Sequence, residues 1–113
     1  MSDRTRIVTE EEVGKALDWL RDSAAEIGQA KARAVKSEHM LKHVEALLFT
    51  GSDAKSAEAR KADARTSEQY LDAINENASA AGELAKLYSL REAAAMKIEA
   101  WRTQESNFRA MKV

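Results

Sequence analysis

At 113 residues the chain is one domain at most. It contains no cysteine, which excludes disulfides and thiolate chemistry, and no proline with only four glycines, which excludes a Pro/Gly-rich linker. Charged residues make up 33% and apolar ones 44%, and the net charge of -1 argues against a generic polyanion binder. Much of the apolar share is alanine and only 5% of the chain is aromatic, so helix propensity is high while the core is thin. The absence of cysteine fits a reducing compartment. MSDRTRIVTEEE shows no signal-peptide pattern, and no run of about 18 apolar residues reads as a membrane span. The expectation is a soluble cytoplasmic protein, and the sequon at Asn77-Ala78-Ser79 is read as chance.

The first element begins at Thr9-Glu10-Glu11-Glu12. Thr9 can cap the free N–H groups, Glu12 stands at the capping-box position, and three acids suit the positive end of the helix dipole. Val13, Leu20, Ile27, Ala34, Leu41 and Leu48 then recur every seven residues, beside a smaller row of Ala16, Ser23, Ala30, Ser37 and Val44. That is a heptad seam whose small row lets a partner helix approach closely. Helix one is expected over about 10–50. A turn follows at 50–53, where Gly51 suits a left-handed cap and Ser52 or Asp53 can start the next helix.

The second helix is expected over about 54–107, weakly anchored in AKSAEARKADAR and with a kink or restart near 66–68, where Thr66 and Gln69 form a capping-box pattern. Beyond it, Leu71, Ile74, Ala78, Ala81, Ala85 and Tyr88 step by three and four. Leu84, Leu87, Ala94, Ile98, Trp101 and Phe108 run alongside and take over. Asn75 and Asn77 either fix the register as buried amides or face water. The predicted fold is all-α: a single domain over 1–113, an antiparallel helical hairpin of coiled-coil type.

Folding at Gly51 makes paired residue numbers add to roughly 103, so residues 94–113 overhang helix one by about 30 Å. Val13 then meets Leu90, and Trp19 lies near Leu84. Ile98, Trp101 and Phe108 form an apolar stripe on the overhang, covered in part by Ile7 and Val8. Two helices bury too little area to stabilise about a hundred residues, and association into a bundle is the usual remedy. A homo-oligomer, a dimer first, is therefore expected, with the rings completing a shared core.

Arg102 and Arg109 flank that stripe, with Lys112 beyond. Rings interleaved with arginines suit either stacking on unpaired bases or an acidic groove on a protein. Charge is uneven: residues 31–65 carry a net +3 and residues 66–94 a net -3. Lys55, Arg60, Lys61 and Arg65 at the turn end are thus candidates for nucleic-acid contact, though most such charges are solvated helix faces.

The segments AAAMKIEAWRTQESNFRAMK, ARTSEQYLDAI and KARAVKSEHMLKHVEALL resemble small helical proteins of tailed phages and prophages. The likeness covers about 31–112, and its motifs are loose: the Ala-Ser-x-Glu-Tyr step of that group stands here as Arg65-Thr66-Ser67-Glu68-Gln69-Tyr70, one residue longer. The resemblance implies an early-region accessory protein, often encoded near recombination or replication genes. It implies no chemistry.

His39 and His43 share a helix face, but the Glu of an HExxH motif is missing, and Lys36 and Met40 stand where a Glu-x-x-His pair needs acids. No catalytic residue, metal site or cofactor is predicted. The leading reading is a non-enzymatic interaction or adaptor protein that binds a protein partner, in recombination or replication or on a host target. The alternative is a DNA-binding recombination accessory using the basic turn end and the tail. A metal-dependent enzyme at His39 and His43 is the third reading.

Overall fold

The computed structural model describes residues 6–111. The fold is all-α and coiled-coil-like, and no strand occurs among the described residues. Four helices follow one another: α1 (Glu10–Asp22), α2 (Ala24–Gly51), α3 (Ala57–Arg65) and α4 (Glu68–Met111). The chain divides into two compact units, Met1–Ile27 with Lys86–Val113, and Gly28–Ala85.

In the first unit α1 starts on the capping box its sequence spells out. The Thr9 side chain accepts from the Glu12 N–H at 3.1 Å, and Glu12 reaches back to the Thr9 N–H. The break at Ser23 is slight. Ser23 N–H still donates to Trp19 O and Ile27 N–H to Ser23 O, both at 2.9 Å, so the i to i−4 ladder passes through the α1–α2 junction. Val8, Val13, Ala16, Ser23 and Ile27 are buried from this side, and Leu87 and Ala94 from α4. Trp19 shares a groove with Leu90, Ala93 and Ala94.

In the second unit α2 and α4 run antiparallel. Arg33 donates to both carboxylate oxygens of Glu76, at 2.9 and 3.1 Å, and the bond holds that exposed carboxyl below the usual range. The buried Ser37 Oγ lies 3.1 Å from the Asn77 side-chain oxygen. Asn77 is the half-buried, register-marking amide of the pair, and Asn75 is exposed. Helix α3 folds back on α2 through Arg65 to Glu45, 3.4 Å, and is tied to the turn by Ser52 to Asp63, 2.6 Å.

The reversal is not at Gly51. Gly51 is the last residue of α2, no glycine among the described residues has positive φ, and the chain turns across 52–56. Ser52 Oγ accepts from the Ala54 N–H at 3.2 Å, and Ser56, rather than Ser52 or Asp53, caps α3 by accepting from the Ala59 N–H. At the next junction Ser67 is the cap, accepting from the Tyr70 N–H at 3.1 Å, while the Thr66 hydroxyl bonds back to Ala62 O. Helix one is therefore two helices, and the span expected over 54–107 is α3 and α4.

The later turn moves the register. Glu45 meets Arg65, and Arg33 meets Glu76, so paired numbers in this unit add to about 110 rather than 103. One face of α4 rotates with it. Ala73, Asn77, Ala80 and Leu84 turn inward, whereas Leu71, Ile74, Ala78, Ala81 and Ala85 are exposed, Leu71 at 55% and Ile74 at 38%.

A Cβ at Gly51 would meet nothing within 4 Å. Gly51→Ala is expected to raise stability by about 0.5–1 kcal/mol in urea unfolding, since alanine favours the helical last turn. A loss of stability would restore the left-handed turn at Gly51.

Candidate interaction surfaces

In the first unit residues 6–9 form a strap laid on the end of α4. Gln104 holds it by its amide alone. Oε1 accepts from the N–H of Ile7 at 2.7 Å and of Val8 at 3.1 Å, and Nε2 donates to Val8 O at 2.7 Å. Beside it, Arg6 forms an ion pair with Glu105 and sets its guanidinium 4.8 Å over the Phe108 ring. Val8 and Val13 occupy the two positions of a hydrophobic staple around Thr9, and they are only 5% and 6% exposed.

This arrangement overturns the long overhang. Val8 lies beside Gln104, so α4 is partnered about ten residues further than folding at Gly51 allows. Trp19 lines a groove with Leu90, Ala93 and Ala94, and Lys15, Ala16 and Lys97 border the same groove. Ile98, Trp101 and Phe108 are half-buried on the inward face of α4, sheltered by their own chain. The Trp101 indole N–H is buried with no hydrogen-bond partner among the described residues. Arg102 and Arg109 are exposed, with Glu99 3.5 Å from Arg102. Lys112 lies outside the described residues.

Of the turn-end cations in the second unit, two serve the fold. Arg60 Nε donates to Ala54 O at 2.8 Å and ties the 52–56 turn to α3, and Arg65 pairs with Glu45. Lys55 is exposed on the turn, and Lys61 borders a shallow apolar groove with Lys42, Phe49 and Ala57. His39 and His43 are exposed on α2, and among the described residues no three His, Asp or Glu side chains gather to hold a metal.

The outward row of α4 is one open apolar surface of this unit; Val35, Met40 and Leu47 of α2 are exposed as well. The residues were visible in the sequence, but the row reads there as one of two adjoining stripes, and only the register shows which stripe is left open. The strap had a local signal, the Val8-Thr9-x-x-Glu12-Val13 staple and box. Gln104 had none, because an amide in a polar run gives no periodic cue.

No protein-family model, curated protein or solved structure matches the chain.

Gln104→Ala removes the three bonds that its amide makes to the strap. It is expected to cost about 1–3 kcal/mol in urea unfolding and to deprotect the Val8 amide in hydrogen exchange. Unchanged protection at Val8 would mean that Arg6 and the staple hold the strap without the amide.

Proposed function

We propose that this chain is a non-enzymatic helical interaction protein whose α4 presents an apolar face to another protein. One observation carries the reading. Leu71, Ile74, Ala78, Ala81 and Ala85 line one face of a continuous helix, and folding leaves that face exposed. Scattered apolar side chains are ordinary on a protein surface, but a contiguous row at helical spacing is the form in which helices dock. The open row supports self-association as readily as a foreign partner, and a homo-oligomer remains part of the proposal.

The phage-like segments suggest the setting: an accessory factor in a host cytoplasm, acting on recombination or replication proteins or on a host target. No helix among the described residues is long and apolar enough to cross a membrane. The DNA-binding alternative has less to stand on, since Arg60 and Arg65 are engaged within the chain.

The test separates a docking face from a core face. Leu71→Gln and Ile74→Gln should each shift the unfolding free energy by no more than about 0.5 kcal/mol and leave helicity intact, as substitutions away from a packed core do. A loss of about 2 kcal/mol or more would make the row part of the core and sink the reading. Low-salt anisotropy with labelled single- and double-stranded DNA should show no binding. Affinity that falls steeply with added salt would favour the alternative.

A further inference from the structure

Gly82 sits in the middle of α4, where glycine weakens a helix relative to alanine. Nothing within the chain requires it: its φ is not positive, and a Cβ built there meets no atom within 4 Å. With a step of 100° per residue, Gly82 lies on the outward face beside Ala78 and Ala85. A Cβ at Gly14, Gly28 or Gly51 likewise meets nothing within 4 Å, and at Gly82 the open space falls within the exposed row of α4.

The row is also self-complementary. Let a two-fold axis pass at Ala78, so that an antiparallel second helix pairs residues whose numbers add to 156. Leu71 of one copy then faces Ala85 of the other, Ile74 faces Gly82, and Ala78 faces itself. The large half of the row meets the small half, twice over. Asp72, Glu76 and Glu83 project from the opposite side of the helix, where Glu76 is bound to Arg33, so the pairing buries none of them.

We propose that the Leu71–Ala85 face of α4 pairs antiparallel with the same face of a second copy of this chain, about an axis at Ala78. The proposal rests on the reading of this row as an interface and names its occupant. Two helices meeting over about 22 Å bury on the order of 400 Å² per partner, below the area of a stable standard-size complex. The dimer is accordingly weak and concentration-dependent. A tight constitutive one would need more surface than this face offers.

The full chain carries no cysteine, so a single introduced thiol reports its own symmetry mate. Ala78→Cys should oxidise to a disulfide-linked dimer at high protein concentration, while Ala46→Cys, exposed on α2, should not. Gly82→Leu should raise the melting temperature of the dilute monomer and weaken association roughly tenfold or more in sedimentation equilibrium, because the new side chain collides with Ile74 of the other copy. Dimerisation that Gly82→Leu leaves unchanged, or Ala78→Cys that crosslinks no faster than Ala46→Cys, overturns this face as the contact. A chain that stays monomeric at the highest attainable concentration overturns the dimer itself. The interface reading then stands or falls separately, on whether Leu71→Gln and Ile74→Gln spare the fold.

Discussion

A chain that takes nearly half of its apolar residues from alanine must bring its helices close to bury anything at all. Alanine removes little area from water per residue, so each contact contributes little and the number of contacts has to be high. Among the described residues, five of the nine buried apolar ones are alanines. Ala16, Ala30, Ala64, Ala80 and Ala94 are buried, along with Ser23 and Ser37, and no large side chain among the described residues is wholly enclosed. Small residues set the spacing between helices; Val8, Val13, Ile27 and Leu87 are buried among them, and Trp19, Leu20, Ile98 and Trp101 lie half in and half out along the edges of the seam.

Such a seam fixes distance better than it fixes register, because one alanine is much like the next. Polar contacts supply what the apolar ones leave undecided. In the second unit the bidentate Arg33–Glu76 pair and the Ser37–Asn77 contact admit one alignment of α2 and α4. Exposed ion pairs contribute little net stability, and their value here is directional. In the first unit the same task falls to Gln104, whose amide bonds the backbone of Ile7 and Val8 on both its donor and acceptor sides. A slip of one residue at either place leaves donors and acceptors facing the wrong atoms.

The all-α class was legible in the heptad row from Val13 to Leu48 and in the missing proline. The start of α1 was legible in Thr9 and Glu12, which interact only with each other and so depend on nothing distant. The turn was not. Gly51 carries the usual signature of a helix end, but the serines at 52 and 56 compete for the same role and win by making side-chain bonds that only the folded loop displays. Because a hairpin doubles any error at its bend, a few residues' displacement there moved the whole pairing of α4. It turned Leu71 and Ile74 outward. The open row could be listed from the sequence, but it could not be told apart from the seam beside it.

Both tryptophans, Trp19 and Trp101, belong to the first unit, and the second holds Tyr70 as its one tyrosine and no indole. Intrinsic fluorescence therefore watches half of this molecule. Far-ultraviolet dichroism counts helix wherever it occurs, and the two signals need not change together. If the units melt as one, the two curves superimpose; if the alanine-rich half opens first, ellipticity is lost while indole emission stays native. The placement of two rings thus gives the chain an internal probe of its own cooperativity.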